Sequence, residues 1–243
     1  MVSNKSKLLI KGIGFCRSVQ FPTISMAPVG QSPTIPGKEV IVNYGDHPLR
    51  LFLDMGVGIG GDKWPAADMF CSMITLPRWK DFFGHIFQEK RVLELGSGNG
   101  VAGILVDKAF SPKEVCVTDL ESHVPHIRHN IQLNDCSEIV SGLSYDWLAS
   151  AEYLDLALQA PFDVILALEC VYREDLYLPL IETIKAQSHK GTVCFLGSTR
   201  QFTKPSFFRL LAEHGLAYKK LPHEMLPESM ADQSIGMFVI HLV

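Results

Sequence analysis

The pattern of hydrophobic and polar residues alternates between two periods along most of this chain. Short apolar runs bounded by Gly, Pro, Asp or Asn are typical of buried strands. Between them lie segments whose apolar positions recur every three or four residues, the period of an amphipathic helix. The predicted strands of this region cover residues 92–95, 114–119, 139–143, 163–168, 192–197, 216–221 and 237–243. The alternation predicts a doubly wound α/β fold with a seven-stranded, mostly parallel sheet.

The predicted helices between these strands begin and end at residues that favour helix boundaries. The segment Val101–Phe110 follows a glycine cluster, and the segment Pro205–Glu213 starts with proline and stops before Gly215. Proline is favoured in the first helical turn and glycine just after the last. Further helices are predicted over residues 65–74, 124–131 and 175–184.

Two further strand-like runs precede the alternating region. Residues 40–42 and 49–53 are rich in Val, Ile and Leu, and they flank a turn sequence, Asn-Tyr-Gly-Asp. This arrangement predicts a β-hairpin ahead of the main sheet. Residues 1–38 instead mix lysine, glycine and proline, which favours irregular structure. We therefore divide the chain into an irregular N-terminal extension, residues 1–38, and a single domain that includes the hairpin, residues 39–243.

Composition narrows the class of protein. The chain has 243 residues, of which 47% are hydrophobic, and it carries a net charge of -4. That charge argues against a nucleic-acid partner, because phosphate backbones favour basic surfaces. No apolar run reaches the roughly 18 residues of a membrane span, and no secretory signal is evident. Six scattered cysteines without a C-x-x-C pair indicate free thiols. We expect a monomer in the cytoplasm, or also in the nucleus, with no membrane association.

The strand at residues 92–95 leads into a glycine-rich loop, the strongest chemical signal in the sequence. Glycines at every second position of residues 96–100 allow left-handed backbone conformations and close approach to a ligand. A dinucleotide loop needs G-x-G-x-x-G, whereas here the third glycine comes one residue earlier and Val101 follows it. Glu94 is expected to project toward the loop, where a carboxylate favours a cation. The loop therefore predicts a positively charged ligand rather than NAD.

Acidic and aromatic residues follow the next two strands. Asp119 lies 19 residues after Gly100. An acid about 20 residues after such a loop can accept hydrogen bonds from both ribose hydroxyls, although capping of the next helix is an alternative role. Asp146 and Trp147 provide an acceptor for an adenine amino group and a flat face for stacking. A purely structural role for Trp147 stays open.

Two residues after the most apolar strand are the candidates for the chemistry. Glu169 and Tyr172 follow residues 163–168. In open α/β sheets ligands bind outside the carboxyl ends of the strands, so both should face the reactive group of a cofactor. Trp64, at the mouth of a predicted helix, is either a core or lid aromatic or a wall of the cofactor pocket.

Three histidines recur on one predicted helix, at positions 123, 126 and 129. No cysteine or acidic cluster completes a set of metal ligands. The three-residue spacing also turns the successive histidines toward different directions around the helix, so they do not converge on one point. We predict a solvated polar face and no metal site.

The motifs, taken in order, resemble the methyltransferase-16 group of class I, seven-strand protein-lysine methyltransferases. They are the hairpin, Trp-Pro-Ala-Ala at residues 64–67, VLELGSGNGVAGI, VTDL followed by HNIQLN, YDW, and DVILALECVYRED. The resemblance covers residues 39–243 and implies S-adenosylmethionine as cofactor, with S-adenosylhomocysteine as product. The implied substrate is a lysine side chain of a protein, and members of the group modify translation elongation factors and chaperones.

The resemblance also assigns roles to single residues. It implies a cofactor pocket lined by Trp64, Gly96, Ser97, Gly98, Asp119, Trp147 and Leu168. The positions of Glu94 before the glycine-rich loop and of Asp146 after a strand add these two acids to the predicted pocket. Glu169 and Tyr172 match the Asp/Glu-x-x-Tyr/Phe motif of the group, which implies a catalytic position at the entry of the target side chain.

Other activities share part of this pattern. A methyltransferase for a histidine, a protein N-terminus or a small molecule would carry the same cofactor motifs. A non-catalytic cofactor-binding protein fits less well, because both Glu169 and Tyr172 are present. The absence of an Asn-Pro-Pro-Tyr motif disfavours amide and base-amino substrates, and the glycine spacing disfavours a nicotinamide enzyme.

Overall fold

A computed structural model describes residues 37–148, 161–230 and 234–243. The predicted N-terminal extension therefore lies outside the described residues, apart from its last two positions. Where the chain is described, none of its helices is both long and apolar enough to cross a membrane.

The N-terminal hairpin is present as predicted. Strand β1 (Lys38–Tyr44) pairs antiparallel with β2 (His47–Leu53). The turn between them places Gly45 at a φ of 56°, a left-handed conformation that glycine adopts without steric cost. Leu49 and Leu51 of β2 are fully buried and join the main core, so the hairpin is part of the domain.

The main domain alternates strands and helices along the described chain. Its strands are β3 (Arg91–Leu95), β4 (Glu114–Asp119), β5 (Val140–Ser144), β6 (Phe162–Leu168), β7 (Ser188–Thr199), β8 (Leu216–Lys220) and β9 (Ile235–Leu242). Its α-helices are α1 (Pro65–Ile74), α2 (Lys80–Phe87), α3 (Val101–Phe110), α4 (Val124–Leu133), α5 (Tyr177–Ala186) and α6 (Pro205–Glu213). Every predicted strand and helix has a counterpart in these bounds, shifted by a few residues at most.

The seven strands form one sheet in the order β5-β4-β3-β6-β7-β9-β8. The pairs from β5 to β7 are parallel, and β9 runs antiparallel to both β7 and β8. This confirms the predicted doubly wound, mostly parallel sheet. The chain reverses direction of winding at β3, which lies between β4 and β6, and such a switch point opens a crevice at the carboxyl ends of the strands.

Helices cover both faces of the sheet. Side chains of α1 to α4 and of the hairpin share one buried cluster, and side chains of α5 and α6 share the other. The hydrophobic pattern of the chain does not predict helix α2. Its residues Phe83 and Phe87 are fully buried and contact Phe195 of β7. Gly84 interrupts the helical pattern there and lowers helix propensity, so packing stabilises this helix more than its own sequence does.

Two asparagines, one in α4 and one directly after it, fix the hairpin to the main domain. The side-chain amide of Asn134 accepts a hydrogen bond from the backbone nitrogen of Arg50 at 3.0 Å and donates to its carbonyl at 2.7 Å. Asn130 does the same with Phe52, at 2.7 and 3.3 Å. Both amides therefore satisfy backbone groups of β2 that would otherwise lack partners on that edge.

The prediction that the histidines of this helix form a solvated polar face is wrong for His126. This side chain is only 6% exposed and lies 6.0 Å, between ring centroids, from Phe52. Burial lowers the pKa of His126, because the low-dielectric surroundings disfavour the charged imidazolium. The helix buries this position because the hairpin packs over it. No group of His, Cys, Asp and Glu arranged as a metal site was found among the described residues.

Candidate active site

A cavity of about 640 Å³ opens at the carboxyl ends of β3, β4 and β6. Volumes of this size are typical of ligand pockets. Nine of the eleven predicted site residues line it: Trp64, Gly96, Gly98, Asp119, Asp146, Trp147, Leu168, Glu169 and Tyr172. Glu94 and Ser97 do not. The topology, rather than proximity in sequence, brings these nine residues together.

The glycine-rich loop forms the floor of the cavity in conformations that require glycine. Gly96 and Gly98 have φ values of 58° and 60°. A side chain on Gly98 would lie 2.9 Å from the carbonyl oxygen of Gly60, and one on Gly96 would lie 3.1 Å from the ring of Trp147. Glycine at both positions therefore keeps the backbone close to the neighbouring walls and leaves the cavity open.

Asp119 ends β4 on one side of the loop. One carboxylate oxygen accepts a hydrogen bond from the backbone nitrogen of Gly98 at 2.8 Å, and the other accepts from Leu120 at 2.8 Å. His123 lies 3.5 Å from the same carboxylate. An ionised carboxylate has about four acceptor positions, so Asp119 retains capacity toward the cavity. Its backbone partners fix the side-chain orientation.

Glu94 is buried beneath the loop instead of facing the cavity. Its carboxylate is 2% exposed and accepts a hydrogen bond from the backbone nitrogen of Gly103, in the first turn of α3, at 2.8 Å. The first turn of a helix has unsatisfied N–H groups and a positive dipole end, which explains the preference for an acid. Burial raises the pKa of Glu94 to about 8. The geometry thus corrects the expectation that Glu94 contacts a cationic ligand.

Ser97 also differs from the expectation. Its backbone nitrogen donates to the carbonyl of Thr118 at 3.0 Å, which ties the loop to β4. Its hydroxyl is buried without a partner among the described residues, and it is not on the cavity wall.

Glu169 follows β6 in an unusual backbone conformation. Its φ is 62°, in the left-handed region that costs a non-glycine residue about 1–2 kcal/mol. Its carboxylate accepts hydrogen bonds from the backbone nitrogens of Ala66, at the start of α1, and Thr199, at the end of β7, at 3.2 and 2.9 Å. Its own backbone nitrogen donates to Gly197 at 2.8 Å. Two elements, α1 and β7, therefore hold Glu169 at the cavity wall, and strain of this kind is characteristic of functional sites.

Tyr172 lies on the same side of the cavity as Glu169. It is 43% exposed, and partial burial raises the pKa of its hydroxyl. Trp64 also lines the cavity, and its indole nitrogen donates to the carbonyl of Ile59 at 2.7 Å. Leu168 is 6% exposed, and its side chain contributes apolar surface to the cavity.

The charges on the cavity wall are mainly negative. Asp119, Asp146 and Glu169 line it, and the lining cation Arg173 is already paired with Asp175. A ligand that carries positive charge therefore suits this cavity better than an anion.

Sequence reasoning missed several wall residues. Ile59 and Gly60 come from the glycine-rich segment 56–61, His123 from the turn before α4, and Phe202 from the loop after β7. The four glycines of 56–61 were a usable signal, because close approach of backbone segments requires them. Phe202 carried no signal, because it is a single aromatic residue in a polar loop.

The sheet order, the glycine-rich loop after β3 and the acid after β4 define the class I, seven-strand methyltransferase fold. The chain is similar in fold to a solved SAM-dependent methyltransferase of Streptococcus mutans described as putative (TM-score 0.56, 13% identity, 84% of this chain and 55% of that one). It is also similar to the T. thermophilus 16S rRNA methyltransferase RsmC in complex with AdoMet and guanosine (TM-score 0.61, 18% identity, 87% and 52%). The chain thus spans just over half of each structure.

Within this class, the chain belongs to the lysine methyltransferase family, which residues 43–214 match. It is 29% identical over 164 residues to protein N-lysine methyltransferase METTL21A of Danio rerio, covering 67% of this chain and 72% of the relative. It is 32% identical over 139 residues to protein-lysine N-methyltransferase EFM6 of Saccharomyces cerevisiae, covering 51% and 56%. EEF1A lysine methyltransferase 3 of Xenopus tropicalis is 28% identical over 180 residues, covering 74% and 70%.

Proposed function

We propose that this protein transfers a methyl group from S-adenosylmethionine to the side-chain amine of a lysine in a protein substrate. One observation carries the proposal. A single cavity contains Asp119 on one side of the glycine-rich loop and the constrained Glu169 on the other. In this proposal Asp119 binds the nucleoside part of the cofactor and Glu169 binds the lysine amine, and both residues face the same cavity.

The Asp119 side fits the cofactor. The Asp119 carboxylate has acceptor capacity left for ribose hydroxyls. The indole nitrogen of Trp147 is buried without a partner among the described residues, so a polar group of a ligand would satisfy it. Glycines 96 and 98 leave space that any side chain would fill. S-adenosylmethionine supplies an electrophilic methyl group on a positively charged sulfonium.

The Glu169 side prepares the amine. Free lysine has a pKa near 10.4, so presenting the neutral amine at pH 7 costs roughly 4–5 kcal/mol. Two acceptor positions of Glu169 are used by backbone N–H groups, and the remaining ones can hold the arriving ammonium and orient the amine once the proton has left to solvent. Tyr172 shapes the channel beside it. Positioning and exclusion of water supply the rest of the acceleration.

The identity of the substrate protein is a separate proposal. Two relatives carry their substrates in their names, EEF1A in one and calmodulin in the other. We infer a translation elongation factor or a chaperone as the substrate, in the cytoplasm, of a monomeric enzyme. The five cysteines in the described residues are free and buried, which supports a reducing compartment.

The test is transfer of labelled methyl from S-adenosylmethionine into a methyl-depleted lysate. We expect one labelled protein band with the wild type, mapped to lysine by mass spectrometry, and no band with Glu169→Ala. The matched control is Glu138→Ala, which removes an exposed acid remote from the cavity. Label on histidine or on an N-terminal amine would contradict the lysine proposal. Cofactor binding without any protein label would favour a small-molecule acceptor or a binding protein.

A further inference from the structure

Three apolar side chains border the cavity next to Glu169, and we call them the apolar rim: Tyr172, Leu176 and Phe202. Tyr172 is 43% exposed and Phe202 is 48% exposed. The rim is tied directly to the acid, because the backbone nitrogen of Phe202 donates to the carbonyl of Thr199 at 3.0 Å and Thr199 donates to Glu169 at 2.9 Å. The exposed apolar surface and the candidate catalytic carboxylate are thus parts of one local structure.

The rim is held in place before any partner binds. The hydroxyl of Thr203 donates to the carbonyl of Val171 at 3.3 Å, joining the segments that carry Phe202 and Tyr172. The backbone nitrogen of Lys204 donates to the buried hydroxyl of Tyr177 at 3.1 Å. A preorganised aromatic surface loses little conformational entropy on binding, and aromatic residues are enriched at the centres of protein interfaces.

Two cations next to the rim are already paired within the chain. Arg173 contacts Asp175, with 3.1 Å between Nε and Oδ1, and Lys204 contacts Glu174. Glu169, by contrast, is bonded only to backbone N–H groups in the part of the chain that is described. A bound segment would therefore meet a negative group inside the cavity and apolar surface outside it.

We propose that the apolar rim is the docking surface for the protein substrate, and that the substrate is a segment whose target lysine has a large apolar neighbour. This inference rests on the proposed function, because the lysine ammonium is the cation that Glu169 receives. The lysine enters toward Glu169 while its neighbour packs on Leu176 and Phe202. A free small amine would leave the rim exposed, and exposed apolar patches of this kind mark interaction sites.

The test begins with the lysine that wild-type enzyme labels in a methyl-depleted lysate, using the purified substrate protein as the probe. Phe202→Ser should raise the KM for that protein about tenfold, because truncating a central aromatic anchor costs a factor of this order. The kcat and the affinity for S-adenosylmethionine should change less than about twofold. Phe202→Leu, which keeps the apolar contact, should restore most of the affinity. Half-exposure of Phe202 makes both variants compatible with folding.

The matched control is Ile41→Ser, which removes an apolar side chain that is 67% exposed on β1, and it should leave all constants unchanged. Replacing the apolar neighbour of the lysine in the substrate by Ser should raise the KM of the wild-type enzyme, but it should raise the KM of Phe202→Ser little further.

An unchanged KM in Phe202→Ser, or a lysine flanked only by charged residues, would overturn the inference. Self-association that Phe202→Ser abolishes would assign the rim to a second copy of the chain instead. Failure of the proposed function would be seen in the first step of the test: the wild-type enzyme would bind S-adenosylmethionine but label no lysine in the lysate.

Discussion

The side-chain amide of Asn130, in α4, donates a hydrogen bond to the backbone carbonyl of Asn99, in the glycine-rich loop, with 3.0 Å between Nδ2 and O. Asn130 is fully buried, and the same amide also pairs with the backbone of Phe52. The side chain of Asn99 in turn donates to the carbonyl of Asp62 at 2.9 Å. The N-terminal hairpin, α4 and the loop at the cavity floor are therefore one connected hydrogen-bond network.

Asn130→Asp should weaken cofactor binding as well as stability. Aspartate lacks the N–H₂ donor, so it leaves the carbonyls of Asn99 and Phe52 without this partner and places a carboxylate in a buried position. Each unsatisfied buried group costs about 1–3 kcal/mol. We expect at least a tenfold loss of affinity for S-adenosylmethionine by calorimetry, together with a lower unfolding midpoint.

Asn134→Asp is the matched control for that variant. Asn134 pairs with Arg50 and with the carbonyl of Asn130, and within the described residues none of its side-chain hydrogen bonds reaches the glycine-rich loop. It should lower stability and leave cofactor affinity nearly unchanged. Equal losses of affinity in the two variants would show that the hairpin acts through stability alone.

Gly60→Ala should reduce cofactor affinity for a steric reason. The added methyl would lie 2.5 Å from the ring of His123 and 3.2 Å from the Cα of Gly98, so a cavity wall must shift. Gly84→Ala, in α2, has nothing within 4 Å of the added methyl. It should leave affinity unchanged and stabilise the protein by about 0.5–1 kcal/mol through helix propensity. Titration calorimetry and thermal unfolding of both variants would check this, and unaltered binding in Gly60→Ala would contradict it.

Glu94→Gln should change how stability depends on pH. Burial raises the folded-state pKa of Glu94 from 4.5 to about 8. Between these values the folded protein binds a proton that the unfolded chain has released, so this group makes stability fall as pH rises. Glutamine removes the proton linkage and keeps an acceptor for Gly103. In denaturant unfolding from pH 5 to pH 8, the variant should gain stability relative to wild type as pH rises. A constant difference would place the pKa of Glu94 near its ordinary value.

His126→Asn should have the opposite effect, at lower pH. Burial lowers the folded-state pKa of His126 below 6.5, and His123 and His129 add to the decrease while Asp54 opposes it. Below pH 6.5 the unfolded chain takes up a proton that the folded protein binds less readily, so stability falls as pH decreases. The variant should show a shallower loss of stability between pH 7 and pH 5.5. Parallel curves for variant and wild type would rule out this linkage.

Hydrophobic periodicity was sufficient to predict the sheet, because each strand and most helices bury one continuous face. It failed for α2, where Gly84 breaks the pattern and tertiary contacts of Phe83 and Phe87 stabilise the helix. It also failed for His126, because no local signal shows that the hairpin packs over α4. Elements that depend on distant packing partners are not readable from their own residues.

In the candidate site, too, residues positioned by the strand pattern were predictable, and residues positioned by distant packing were not. The positions of Asp119, Glu169 and Tyr172 on the cavity wall were predictable, because the carboxyl ends of parallel strands meet at one edge of the sheet. Glu94 was misplaced, because alternation along β3 turns its side chain under α3 rather than toward the loop. Phe202 was missed, because its loop reaches the cavity only through the tertiary fold, in which Thr199 at the end of β7 bonds Glu169.

Strand order also constrains the sequence of events during synthesis on the ribosome. Strand β8 precedes β9 in the chain, yet β9 lies between β7 and β8 in the sheet. Nascent β8 therefore lacks its native partner strand until β9 has left the exit tunnel, so β8 can join the sheet only together with β9 or after it. The turn after Thr199 that carries Phe202 is anchored on β7, next to this late-formed edge. Substrate binding at the proposed apolar rim should accordingly be among the last properties that a newly made molecule acquires.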